Sequence, residues 1–198
     1  MKIRENTRMC VVKNARLNAL GFSLSCLFCR RNGACVLWVQ LRVVPFFISM
    51  DRICSFFGHR DVFCDLSDEL KSSIETAITE HSITTFYVGD RGNFDRQASG
   101  CVLAMKKKYP HIRLVLILPY FTNKLNEYKE IYESQYDDII IPSILDGVHP
   151  KGAITKRNRW MVDESELIIS YIARDFGGAY NTVKYASRRN KRIINISK

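Results

Sequence analysis

Two adjacent glycines, Gly177-Gly178, stand a few residues beyond the short apolar run Leu167–Ile172, and Asn181 and Thr182 then open an apolar-periodic segment. A glycine turn between a strand's end and a helix's start turns backbone N–H groups toward an anion. Glycine suits the position because a side chain would block close approach of a phosphate. Upstream, Arg157 and Met161 lie four apart and share a helix face, with Asn158 beside them. Arg157 can therefore bring a fixed fork of donors to the same pocket. Two further glycine-bearing segments carry charge: Gly58-His59-Arg60, and Gly89–Asp95, which reads GDRGNFD. His59 and Arg60 are candidates to contact a phosphate or a base. Gly89 and Gly92 allow unusual backbone angles, and Asp90 and Asp95 can accept ribose hydroxyls.

Each feature has a plainer reading. Gly177-Gly178 is then only a tight turn, with Arg157 and Arg159 solvated. His59 caps a loop, Arg60 pairs with Asp61 or Asp65, and Asp95 caps a helix. Trp160 is expected in the core or at a rim rather than as a base-stacking platform. Lys106–Lys108, late in a helix, complement the helix dipole and stay solvated. The chain has no G-x-S-x-G, no H-E-x-x-H, no Walker loop and no G-x-G-x-x-G after its first strand. The absence of the last two argues against an ordinary NTPase or dehydrogenase.

The elements that position these residues alternate. Arg52–Phe57 reads as a compact strand, Leu66–Glu80 as a helix with Leu66, Leu70, Ile74, Ala77 and Ile78 on one face, and Ile83–Val88 as a second strand. A helix from Phe94 to Lys108, a strand at Ile112–Leu118, a helix at Lys124–Ser134 and a strand at Asp138–Ile141 follow. A loop around Gly147–Gly152 leads into the helix that bears Arg157. The strand Leu167–Ile172, a helix from Ala179 to Arg189 and a strand at Arg192–Ile196 close the chain. This alternation predicts an α/β fold: a Rossmann-like, doubly wound, mostly parallel sheet with helices on both faces. Ligands of such sheets sit beyond the strands' carboxyl ends, which is where all three glycine segments fall.

The net charge of +10 is unevenly placed. Residues 1–49 hold eight Lys/Arg against the single acid Glu5, whereas residues 50–198 carry 22 basic and 19 acidic residues. The domain proper is only mildly basic, so nucleic acid is not expected as a partner. Residues 1–49 show no sustained helical or strand period. They are expected to be an unstructured or non-native extension, with Met50 as the start of the functional protein and membrane association of the segment as the alternative. Its apolar run Leu17–Cys29 is shorter than the ~20 residues that a membrane span needs. Cys26-x-x-Cys29 suggests a zinc half-site, but no second pair or His follows at a matching spacing, so no metal is expected. Cys54, Cys64 and Cys101 are odd in number and scattered, as in reduced, cytoplasmic proteins.

Taken in order, F-F-G-H-R, G-D-R-G-N-F-D, K-R-N-R-W-M-V-D and G-G-A-Y-N-T-V-K-Y-A resemble segments of the SLOG superfamily, a Rossmann-like group that includes the lonely-guy phosphoribohydrolases and the DNA-processing Smf proteins. The resemblance covers about Arg52 to Ile196 and is strongest to the uncharacterised bacterial YpsA-like branch. It implies that residues 50–198 form a nucleotide-binding domain for an ADP-ribose- or NAD-like molecule, that some members act as sensors, and that the chain forms a homodimer. The ligand-binding set it selects is Gly58, His59, Arg60, Gly89, Gly92, Asp95, Arg157, Asn158, Gly177, Gly178 and Thr182. No bound cofactor is expected.

One departure bears on catalysis. The lonely-guy enzymes carry P-G-G-x-G-T followed three residues later by a glutamate. Here the turn is one residue longer and Tyr185 stands three after Thr182. Without that carboxylate, activating water or stabilising a ribosyl cation is harder. A sensor is therefore expected first. An N-glycosidic or phosphoribosyl hydrolase, with Asp95 or Asp175 as a relocated carboxylate, is the alternative.

Overall fold

The computed structural model describes residues 22–27, 30–31, 34–35, 38–43, 51–121, 127 and 129–197. The chain divides into two units, Met1–Met50 and Asp51–Lys198. In the first, β1 (Phe22–Leu27) pairs antiparallel with β4 (Trp38–Val43), Phe22 opposite Val43 and Leu27 opposite Trp38. Between them, β2 (Arg30–Arg31) pairs with β3 (Ala34–Cys35) in the same sense. The described backbone thus forms strands in a stretch whose sequence shows no sustained period. The question whether residues 1–49 belong to the functional protein, and the Cys26/Cys29 half-site, lie outside what is described of these residues.

The second unit is built on six strands: β5 (Ile53–Gly58), β6 (Thr85–Val88), β7 (Arg113–Ile117), β8 (Asp138–Ile140), β9 (Leu167–Tyr171) and β10 (Arg192–Asn195). Their spatial order is β10-β9-β5-β6-β7-β8, and every neighbouring pair is parallel. The chain winds outward from β5 to β8, returns to place β9 on the other side of β5, and ends at β10. The direction of winding reverses between β5 and β9, which is the place where doubly wound sheets open a crevice.

Helices cover both faces. The strands are near-continuous apolar runs because neither face meets water. Cys54, Phe56, Phe86 and Leu114 pack on one side with α1 (Ser67–Thr79) and α2 (Asn93–Lys106). Phe57, Tyr87, Val115 and Ile168 pack on the other with Met161 and Val162 of α4 (Pro150–Glu164) and Ala186 of α5 (Gly178–Arg188). The short helix α3 (Lys129–Gln135) contributes Tyr132 to the edge of the first cluster. Trp160 stacks on Tyr87 at 5.8 Å, so it belongs to packing, as expected.

The loop expected around Gly147–Gly152 is shorter than the sequence reading, because α4 begins at Pro150. Proline at the first helical position has a preset φ and lacks only an N–H that would be unpaired there. The ring Nδ1 of His149 accepts the Lys151 amide at 3.3 Å and caps the start. Among the described residues no helix is long and apolar enough to cross a membrane.

Candidate functional site

A cavity of about 360 Å³ opens at the carboxyl ends of β5 and β9. The turn after β5 brings Gly58, His59 and Arg60 to its wall, the turn after β6 brings Gly89 and Arg91, and α2 brings Asp95. Arg157, Asn158 and Met161 line it from α4, and Arg174, Phe176, Gly177 and Gly178 from the β9–α5 turn. Nine of the eleven residues expected in the site therefore share this cavity. Gly92 instead borders a neighbouring one, and Thr182 sits behind the wall.

The α5 end of the cavity is an open helix start. Gly177 has φ +97°, and no side chain caps the helix it precedes. A Cβ built on Gly178 would meet nothing within 4 Å, so the space above the first turn is open. The first N–H groups of a helix lack intrahelical acceptors and carry the positive end of its dipole. Thr182 stabilises this turn from behind: its hydroxyl donates to the Gly178 carbonyl at 2.8 Å and accepts from Asn158 Nδ2 at 3.3 Å. Asn158 and Thr182 thus tie α4 to α5.

Arg157 lines the same cavity from α4, and it is buried, with only 3% of its surface exposed. Its Nη1 donates to the Ile117 carbonyl at 2.7 Å, and its Nε donates to Asn158 Oδ1 at 3.0 Å. Asp90 lies 3.6 Å away as ionic partner. Burial lowers the Arg157 pKa, and the carboxylates of Asp95 and Asp90 oppose that effect. A guanidinium stays charged even so. The reading in which Arg157 is solvated does not hold.

Gly89 has a packing reason for its identity. A Cβ there would stand 2.9 Å from Arg157 Nη1 and 3.0 Å from Asp95 Oδ2. Its bare backbone lets the guanidinium and the carboxyl approach across it. Asp95 Oδ2 accepts the Arg91 amide at 2.9 Å, which closes the turn before α2. Burial raises the Asp95 pKa to about 6, against the pull of Arg157 and the Arg91 amide, and Asp90 adds to the rise. Gly58 is also fixed by packing, because a Cβ would fall 2.3 Å from the Phe94 ring.

His59 holds the opposite rim. Its Nε2 accepts the Arg174 amide at 3.1 Å, anchoring the turn that carries Gly177. Burial and the Arg174 charge lower its pKa, which favours the neutral ring that accepts this bond. Arg60 is exposed at the mouth. Sequence reasoning missed Arg91, Arg174 and Phe176. Arg174 lies over the Phe176 ring at 5.5 Å, and Arg91 donates to the Tyr120 hydroxyl at 2.6 Å. Only the arginine content of the turns pointed to them.

Tyr185, at the position where the lonely-guy pattern has its glutamate, takes no part in the cavity. Its hydroxyl donates to the Asp163 carboxylate at 3.0 Å, and Arg159 lies 5.5 Å over its ring. That helix face is spent on joining α5 to α4.

The fold and the site define a Rossmann-like domain with a cavity at its switch point. No family model matches the chain. It is similar to the uncharacterized SPbeta prophage-derived protein YoqJ of Bacillus subtilis, 28% identical over 138 residues that cover 62% of this chain and 81% of that one. Among solved structures it is similar to DNA processing protein A of Helicobacter pylori, with a TM-score of 0.50 and 17% identity over 72% of this chain. The same protein of Streptococcus pneumoniae gives a TM-score of 0.52 and 16% identity, again over 72% of this chain. The chain spans 64% and 49% of those two structures. At these identities the likeness shows the fold. It nevertheless overturns the expectation that excluded nucleic acid: the Helicobacter pylori protein has a described single-stranded DNA binding mode. Mild net charge was the wrong criterion, because four arginines converge on one cavity while the acids that balance the total lie mostly elsewhere.

Proposed function

We propose that residues 51–198 bind a nucleotide-derived ligand whose phosphate sits on the first turn of α5, opposite Arg157, in a SLOG-type sensor related to the YpsA-like branch. The observation that carries this reading is the open, uncapped helix start at Gly177-Gly178 in the same cavity as a buried, prepositioned guanidinium. Arg60, Arg91 and Arg174 at the rim favour the same charge. The nucleotide can be a free molecule or one unit of a single strand, and the likeness to the Helicobacter pylori protein supports testing both.

Titration calorimetry with AMP, ADP-ribose and a short oligothymidylate tests the proposal. Binding of at least one of these, lost in Gly178→Val with the fold intact, supports the cradle. Unchanged affinity in both Gly178→Val and Arg157→Ala would remove it. A steep fall in oligonucleotide affinity between low and high salt would assign the strand reading.

A hydrolase is the second reading, favoured by one feature: Asp95 supplies a carboxyl with its pKa raised to about 6 in the cavity wall. Such a group can exchange a proton near neutral pH. Mass spectrometry after long incubation separates the readings, intact ligand meaning a sensor and free base with ribose phosphate an enzyme.

A further inference from the structure

A second cavity, of about 500 Å³, lies beyond the carboxyl ends of β6 and β7, between α2 and α3. Gly89 and Asp95 are the lining residues it shares with the first. Its chemistry is different. Asp90 and Asp95 present acceptors, Tyr132 and Tyr136 form a stacked pair with centroids 6.2 Å apart, and Leu103 and Leu116 supply apolar wall. Arg96 is its one cationic lining residue among those described. This lining suits an uncharged ring with hydroxyl or amine donors and disfavours a phosphate.

Gly100 is exposed to solvent. It lies in the interior of α2 with ordinary helical φ, lines this cavity, and a Cβ placed on it would meet nothing within 4 Å. No turn, positive φ or close backbone contact requires glycine at this position. A glycine in a helix interior is unfavourable relative to alanine. The position therefore accepts a side chain at the cavity without a clash.

We infer that the second cavity is a nucleoside subsite, so that the ligand has phosphate at α5 and a ribose-and-base moiety between α2 and α3. This rests on the phosphate reading proposed above and extends it from a mononucleotide to a dinucleotide-type molecule such as ADP-ribose. Asp95, in the common wall, faces both parts. Asp90 reaches the second part while its ion pairs with Arg91 and Arg157 hold it in place.

The test is calorimetry with ADP-ribose and with ribose 5-phosphate on the full chain, wild type against Gly100→Leu and Gly100→Ala. The wild type is expected to bind ADP-ribose about tenfold or more tightly than ribose 5-phosphate. Gly100→Leu, which adds a bulky side chain at the cavity, is expected to erase that advantage and leave ribose 5-phosphate affinity unchanged. Gly100→Ala should melt higher than wild type and keep most of the affinity. Equal wild-type affinities, or an ADP-ribose affinity untouched by Gly100→Leu, would overturn the subsite and leave the phosphate cradle standing. Wild-type protein that binds neither compound would overturn both.

Discussion

Two helices of this domain start in the same way and do different work. Both α2 and α5 follow a glycine of positive φ, Gly92 at +140° and Gly177 at +97°, and neither start has a side-chain cap. At α2 the protein fills its own helix end. The Asn93 amide donates to the Arg60 carbonyl at 3.0 Å, Asp95 sits in the first turn, and a Cβ on Gly92 would fall 2.9 Å from the Arg60 backbone. At α5 the first turn has no acid, and a side chain on Gly178 would enter empty space. Glycine at a helix start is therefore not the signature of an anion site. What distinguishes α5 is that no described residue lies over its open start.

The contrast is tested by substitutions at the two starts. Gly178→Val should lower nucleotide affinity by about a hundredfold or more, with the melting temperature close to that of the wild type. Calorimetry together with thermal melting reads both. Next in size, Arg157→Ala should cost ~1.5–3 kcal/mol of affinity, the scale of hydrogen bonds to a charged group. Arg157→Lys should recover only part of that loss, because an ammonium cannot reproduce the planar fork. Gly92→Ala should show the reverse pattern to Gly178→Val. It should lose ~1–3 kcal/mol of folding stability to backbone strain, read by urea denaturation, while the folded fraction keeps its ribose 5-phosphate affinity.

The smallest expected effect concerns Asp95. Its folded pKa of about 6 lies above the usual 3.8, so the folded protein holds this proton more tightly than the unfolded chain does. Stability is then fully present below about pH 4 and declines as pH rises through 6. Asp95→Asn cannot ionise and should flatten that slope. The variant should exceed the wild type by ~1–3 kcal/mol at pH 7.5 and match it near pH 4. Urea titrations at the two pH values check this, and an Asp95→Asn variant whose stability differs from the wild type's by the same amount at both would contradict the assignment.

Much of the fold was legible because strands and helices here repeat their local signals. Ile53–Gly58 and Leu167–Tyr171 are apolar runs interrupted by a single serine each, Ser55 and Ser170, and in a parallel sheet a near-continuous apolar run is what burial on both faces demands. The start of α4 was misplaced because Gly147 and Gly152 read as loop, although Pro150 after a capping His149 was a signal of a helix start. The glycine turns marked the site, but their separate reasons were hidden. Gly58 answers to Phe94, Gly89 to Arg157 and Asp95, and Gly178 to no residue at all. Those partners are up to 68 positions away in the chain. Arg157 and Asn158 were identified from one helix face, but their anchors on Ile117 and Thr182 come from other elements, which no local pattern records. Charge counting failed for the same reason, since a total does not say where arginines converge.

The anchoring of Arg157 on the Ile117 carbonyl and on Asn158 has a kinetic consequence. A surface arginine must abandon many rotamers when it grips a ligand, and that ordering weakens the complex. In this protein the ordering has already been done by folding. Association should proceed as a single step, with an observed rate linear in ligand concentration and no plateau from a slow rearrangement. Affinity differences between ligands should then reside in how long each one stays.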